Sequence, residues 1–331
     1  MSNGMWEIVL ISSLKIVVIM AAVLTGCAYA TYMERKVVAR LQHRMGPTYA
    51  GPYGLLQPIA DAVKLIFKED IVPNRVERVT YALAPVVSFV PALLTFVVVP
   101  FGADIELFGR EIKMVGSDLN IGVLFVFAVT SLGVYGIVLA GWSSGSKYSL
   151  MGGIRSSAQM ISYEVGYGLS IIGVLLVANT LSLRELVEQQ SSIGAWFIWR
   201  QPLGFLLYLT CAIAETNRLP FDMPEAESEL VGGYHTEYSS MRFAMFFMGE
   251  YANMLAVSAV GTTLFLGGWQ GPYLPPVVWF VIKVFMFMFF YIWLRGTFPR
   301  FRYDQLMAFG WKVLFPLALL NTMVTAALVM L

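Results

Sequence analysis

At 331 residues, the chain is 58% hydrophobic and 14% aromatic, only 13% of it is charged, and its formal net charge is +1. With a mean hydropathy of +0.69, this composition excludes a water-facing globule and describes a chain built for lipid. The net charge says nothing further, and no nucleic-acid partner is expected.

Apolar runs of about 20 residues, the length that crosses ~30 Å of hydrocarbon, occur near 7–33, 81–101, 120–142, 154–179, 203–217, 242–267, 277–294 and 310–330. The expected fold class is all-α, a polytopic membrane protein with eight transmembrane helices in a single membrane domain, 1–331. No soluble domain, low-complexity linker or obvious internal repeat interrupts it. The first run lacks a small-residue cleavage site and ends in Tyr32-Met-Glu34-Arg35-Lys36, so it reads as a retained helix rather than a signal peptide. Loops after the first, third, fifth and seventh helices carry 16 of the 22 Lys and Arg residues, and those after the second, fourth and sixth carry only Arg110, Lys113, Arg184 and Arg200. By the positive-inside rule the odd loops face the cytoplasm and both termini face outward.

Along the chain, the first loop holds Leu55, Leu56, Ile59, Val63, Ile66 and Phe67 at helical period, with Gln57, Asp61, Lys64 and Lys68 mostly on the other face. That predicts an amphipathic helix over 53–68 lying at the membrane surface, although a helix packed on its own bundle would show the same pattern. Asp104 and Glu106 in the second loop match no motif. Cys27 and Cys211 fall in predicted helices, far apart in sequence, and form no disulfide or metal pattern. Lys15 and Lys283 lie in the outer half of their helices, as counter-charges or as snorkelling side chains.

The unusual residues are acidic. Between Ala214 and Glu237, two strongly apolar segments enclose Glu215, Asp222, Glu225, Glu227, Glu229 and Glu237. Asp222-Met-Pro-Glu225 matches a helix capping box, with Gly232-Gly233 as the stop; this explains Asp222 and Glu225 in part, but not Glu227 or Glu229. Glu164 in the fourth helix and Glu250 in the sixth lie ~15 Å and ~12 Å deep at the helical rise. Ionised carboxylates are costly in a bilayer, so acids graded from one surface to the middle trace a half-channel for protons. The plain alternative is that each glutamate accepts local hydrogen bonds and only fixes packing.

Redox chemistry leaves no mark. There is no Cys-x-x-Cys array for an iron–sulfur cluster and no Walker loop or dinucleotide fingerprint, and both histidines, His43 and His235, fall in loops. Any chemistry served must involve a diffusible ligand or a partner subunit.

Several segments nevertheless resemble one family: Glu34-Arg35-Lys36 with Gln42-His-Arg44-Met-Gly46-Pro47, Gly54-Leu-Leu-Gln-Pro-Ile-Ala-Asp61, Gly145-Ser-Lys-Tyr-Ser, Arg155 to Glu164, Ala214 to Asp222, and Arg300-Phe-Arg-Tyr-Asp304-Gln. Over essentially the whole chain they look like the membrane component of bacterial respiratory complex I that is the counterpart of mitochondrial NADH dehydrogenase subunit 1. The resemblance implies a subunit at the junction of the membrane and hydrophilic arms, in the bacterial inner membrane with periplasmic termini. It implies a chamber for quinone, the substrate, at Glu34, Arg35, Asp222, Tyr234 and Arg295. It also implies an acidic proton path through Glu164, Glu215, Glu225, Glu227, Glu229 and Glu250. No cofactor is expected on this chain; NAD, FMN and iron–sulfur clusters belong to the implied partner subunits, and membrane lipids surround it. An anchor subunit of a membrane-bound hydrogenase or another complex-I-like enzyme would carry similar motifs, and a stand-alone ion transporter would suit the acids but not the lack of repeats.

Overall fold

The structure, a computed structural model, describes residues 2–107, 110–223 and 231–331, with side chains described for 11–106, 111, 113–223 and 231–331. It is helical almost throughout. Helix α1 (Ser2–Leu41) runs 40 residues, past the apolar stretch, because no breaker follows Glu34 until the turn at His43, φ 54°. A 3-10 turn at Pro52–Gly54 leads into α2 (Gln57–Phe67). Then come α3 (Arg78–Leu94), a hairpin of β1 (Ile105–Leu107) and β2 (Arg110–Ile112), α4 (Gly122–Ser143) and α5 (Lys147–Ala178). Short helices α6 (Leu183–Glu188) and α7 (Phe197–Arg200) precede α8 (Pro202–Glu215). The chain closes with α9 (Ser240–Phe265), α10 (Pro276–Thr297), α11 (Tyr303–Phe309), a π turn at Gly310–Leu314, and α12 (Phe315–Met330).

Among the described residues, seven helical segments are long and apolar enough to cross a membrane: α1 from Ile11, α3 with its 3-10 extension, α4, α5, α9, α10, and α11 to α12. The expected fifth span differs. Helix α8 has 14 residues, ~21 Å at the helical rise, less than the hydrocarbon thickness. Pro202 sets its start, and Asn217 in the left-handed region (φ 50°) and Pro220 follow its end. A short helix with polar ends is tolerated at membrane depth where protein surrounds it; Leu207, Tyr208, Cys211 and the whole turn from Ala212 to Glu215 are buried. Helix α5 starts at Lys147, earlier than the apolar run suggested, and ends on Asn179 in the left-handed conformation, whose N–H bonds back to Leu175, a common C-terminal stop.

Helix α2 buries none of its residues. Ile59, Val63, Ile66 and Phe67 are exposed, Phe67 at 84%, so its apolar side faces away from the bundle, as a helix lying on a membrane surface requires. The path of loop 1 depends on Gly54: its φ is +81° and an added Cβ would stand 2.3 Å from the Pro47 carbonyl oxygen.

On the opposite side, Lys283 departs from expectation. It neither meets a carboxylate nor snorkels: at 2% exposure, its ammonium donates to the carbonyls of Leu266, Gly268 and Gln270 at 2.6, 2.9 and 2.7 Å and stands 4.4 Å from the Trp196 ring. It closes the chain reversal after α9, where carbonyls are left without helical partners. Asp104 also acquires a role, pairing with Arg184 at 2.6 Å, which in turn reaches Glu188 at 2.9 Å and so links the second and fourth loops.

The core is one large apolar cluster running from Val23 and Cys27 in α1 through α5, α8, α9 and α10 to Ala318 in α12. A smaller cluster gathers Tyr81, Ile137, Met160, Tyr234, Tyr238 and Phe246 beneath the loop between α8 and α9, with Tyr81 and Tyr238 stacked at 4.2 Å. Cys27 and Cys211 are both buried free thiols. Close backbone contact replaces hydrophobic drive between helices in lipid, and at Gly136 of α4 an added Cβ would lie 2.5 Å from the Ser88 nitrogen of α3. Gly136→Val is therefore expected to force α3 from α4 and, at about 1–3 kcal/mol or more for overpacking, to lower the amount of folded protein in membranes at least severalfold, as read by immunoblot against the unaltered chain.

Candidate functional site

The site forms where the C-terminal ends of α1 and α10 meet α9 and the loop after α8. Glu34 projects from α1 and is 8% exposed. A carboxylate this buried needs donors, and it has three. Arg218 Nη1 lies 3.2 Å from Oε2, the Tyr251 hydroxyl donates to Oε2 at 2.7 Å, and Arg295 forms an ion pair with Oε1. Arg218, 4% exposed, also places Nε 3.1 Å from Oε1 of Glu250 and stacks over the Tyr251 ring at 4.4 Å. Burial opposes its charge, and Glu250, Tyr251 and Glu34 outweigh burial, so the guanidinium is held protonated. Among the described contacts, these two carboxylates face two guanidiniums, and opposite charges so paired are what a low dielectric tolerates.

Two spaces flank this cluster. A cleft of about 420 Å³ is lined by Glu34, Arg35, Val38, Arg44, Met45, Gly46, Pro47 and Arg295, a size within the range of small-molecule sites. A smaller cavity of about 40 Å³ lies among α3, α4, α5, the end of α8, and α9, and its lining includes Ser88, Thr130, Met160, Glu215, Asn217, Tyr234, Glu250 and Asn253. The two carboxylates joined by Arg218 thus belong to different spaces.

Glu215, the last residue of α8, is 3% exposed, and its Oε2 meets no hydrogen-bond donor among the described residues. Asn217 donates its amide to the Met160 sulfur at 3.5 Å, while its buried Oδ1 likewise meets no donor among them. Gln159 of α5 pins this turn, its Nε2 bonding the carbonyls of Ala214 and Phe221 at 2.8 and 2.7 Å. Tyr238, below the loop, lies 3.3 Å from the Ser143 hydroxyl; burial pushes its phenol up to about 12, so it stays protonated at neutral pH.

The structure divides the predicted residues. Glu34, Arg35 and Arg295 share the cleft; Arg35 reaches Asp61 of α2 at 2.6 Å, tying the surface helix to its rim. Tyr234 lines the acid cavity with Glu215 and Glu250 rather than the cleft. Asp222, 3% exposed, is held by Arg300 Nη2 at 2.9 Å and lines neither space among the described residues. Glu164 is half-buried on α5, outside the cavity lining, yet close enough for its charge to act on Glu215. Glu225, Glu227 and Glu229, and with them the capping box, lie outside the described residues. His235 packs edge-on against Tyr234 and Phe243. Among the described residues no three His, Cys, Asp or Glu side chains converge as metal ligands.

Sequence reasoning missed Arg218, Tyr251, Asn217 and Gln159. Arg218 had a signal: it is the single Lys or Arg between Arg200 and Arg242, set inside the most acidic stretch, and the positive-inside rule absorbed it. Tyr251 had none beyond adjacency to Glu250.

Residues 14–326 match the family model described as NADH dehydrogenase. The chain belongs to that family. Among its NADH dehydrogenase relatives, an NADH-quinone oxidoreductase subunit of Geobacter metallireducens, designated H 2, is 54% identical over 328 residues, covering 96% of this chain and 94% of its own. The corresponding NADH-quinone oxidoreductase protein of Protochlamydia amoebophila, designated H, is 56% identical over 302 residues, 91% of this chain and 92% of its own. That of Koribacter versatilis, designated H 2, is 53% identical, covering 97% of each chain. Within this NADH dehydrogenase framework, Asp222 and Arg300 anchor the loop before the acidic stretch. Arg300→Met removes one charge-assisted donor from a buried carboxylate, worth about 1.5–3 kcal/mol, and is expected to speed amide hydrogen exchange across 216–223 by roughly ten- to a hundredfold, measured by mass spectrometry on the assembled protein.

Proposed function

We propose that this chain is the membrane subunit of a proton-translocating NADH:quinone oxidoreductase that forms the quinone chamber and begins the proton path. The observation that carries the reading is the pairing of a ligand-sized cleft at Glu34, Arg35 and Arg295 with a second, acid-lined cavity at Glu215 and Glu250. The names borne by relatives more than half identical over nearly full length favour an NADH-linked complex over a hydrogenase anchor.

Quinone reduction takes two electrons and two protons and passes through states of negative charge. This chain's part is to receive the substrate and answer that charge. The exposed apolar side of α2 faces hydrocarbon, so a quinone tail enters from the bilayer beside it, while Arg35 and Arg295 meet the polar headgroup at the cleft. Glu215 and Glu250, with Glu164 behind, take up and pass protons, and Glu225, Glu227 and Glu229 are assigned to the same path. Electrons arrive from partner subunits of the hydrophilic arm, which hold the NAD, FMN and iron–sulfur sites. In this reading all eight apolar segments, α8 included, form one domain of the bacterial inner membrane with both termini periplasmic.

Two experiments test it. Photolabelling with a quinone-headgroup analogue is expected to mark 34–47 and Arg295; labels confined to the outward loops 98–121, 179–201 or 266–275 would contradict it. Glu215→Gln is expected to lower NADH:quinone activity at least tenfold while NADH oxidation by ferricyanide stays within twofold. Unchanged quinone reduction with unchanged pumping would remove Glu215 from the path.

A further inference from the structure

We infer that Arg218 is the positioning residue that couples the two spaces, one guanidinium shared between Glu34 on the wall of the cleft and Glu250 on the wall of the inner cavity. The inference rests on reading the cleft as the quinone's and the cavity as the proton path's. Arg218 lines neither space among the described residues; it is buried in the partition and contacts substrate in neither.

Its geometry is that of a shared group. Nη1 serves Glu34 and Nε serves Glu250, at 3.2 and 3.1 Å. These nitrogens belong to one rigid plane, so a turn that tightens one pair loosens the other. The holds are also unequal. Nη1 makes aligned hydrogen bonds to both Glu34 oxygens, whereas Nε, despite its distance to Glu250, makes no aligned hydrogen bond. The hold on Glu250 is therefore an ion pair without an aligned hydrogen bond, free of a fixed direction, and the Tyr251 ring beneath the guanidinium gives it an apolar face on which to turn.

The consequence follows from competition for cations. Arg295 stands in the cleft wall and pairs with Glu34. When substrate reduction places negative charge in the cleft, Arg295 turns to that charge. Glu34 then rests on Arg218 and Tyr251, the guanidinium is drawn to it, and Glu250 loses a cation. The Glu250 carboxylate answers by binding a proton from the inner cavity: one O–H bond forms, with the proton drawn from the cytoplasmic side. Once the quinone has taken its own two protons and is neutral, Arg295 returns to Glu34 and Arg218 to Glu250; the Glu250 O–H bond breaks and its proton passes through the inner cavity toward Glu215 and on along the proton path, not back to the cytoplasmic side. Charge in one space is converted to proton occupancy in the other without a side chain crossing between them.

The test uses the assembled complex in liposomes, with three readouts: NADH:quinone rate, protons pumped per quinone reduced, and NADH:ferricyanide rate as the gauge of assembly. A lysine at this position holds one carboxylate at a time. Arg218→Lys is therefore expected to keep quinone reduction within about threefold and ferricyanide reduction within twofold, while protons per quinone fall at least twofold; Arg218→Gln is expected to lower the ratio further. A residue that only supports packing would slow the rate and leave the ratio unchanged, and an unchanged ratio in Arg218→Lys overturns the inference even if Arg218→Gln fails to assemble. Glu34→Gln and Glu250→Gln separate this failure from that of the underlying reading. If neither single variant moves rate or ratio, the assignment of the two spaces is wrong. If each does, and their combination in the unaltered Arg218 background simply multiplies the two effects, Arg218 does not link them.

Discussion

The arrangement depends on giving the buried carboxylate of Glu34 its partners. Burying a lone carboxylate costs several kcal/mol even after relaxation, so the surrounding elements must bring cations and donors to it. They come from the loop after α8 as Arg218, from α9 as Tyr251 and from α10 as Arg295. Four parts of the chain remote in sequence are therefore registered at one point. Glu250 adds the second negative charge that two guanidiniums require, which ties the inner cavity to the same balance. Gln159, holding Ala214 and Phe221, keeps the turn that presents Arg218 from drifting.

The opposite end of the bundle solves a different problem with similar chemistry. Lys283 meets backbone carbonyls in place of carboxylates, and the Asp104–Arg184–Glu188 chain joins two loops in a partly exposed setting. Exposed pairs contribute little, about 0–1 kcal/mol each, so these links shape loops. The Glu34 cluster, being buried, fixes helix ends.

Much of this was legible in the chain. Apolar length reveals the long helices because the bilayer imposes it, and the period of Leu55 to Phe67 marks a helix whose apolar side the structure leaves open. Glu34, Arg35 and Arg295 were legible only through family resemblance, since no local pattern relates residues on different helices. Helix α8 was harder: it has 14 residues, eight of them buried against protein neighbours, and hydropathy alone reads it as an ordinary span. Lys283 was misread because charge in an outer helix half suggests carboxylates or water, and unpaired carbonyls after a helix leave no mark in side-chain sequence. Arg218 was hidden by the positive-inside rule, which explains loop arginines too readily.

Glu34 and Glu215 show why acids near each other in a fold need not share a task. Glu34 has three donors and two of them are permanent cations, so its carboxylate is an anchor that others move around. Glu215 is as buried, yet one of its oxygens meets no donor among the described residues, and it lines a cavity with Asn217, Tyr234 and Glu250. Among the described residues, gaining or losing a proton there breaks no ion pair. The same residue type serves as a fixed charge where its surroundings are saturated and as an exchangeable one where they are not, and the difference lies in the neighbours each helix end supplies.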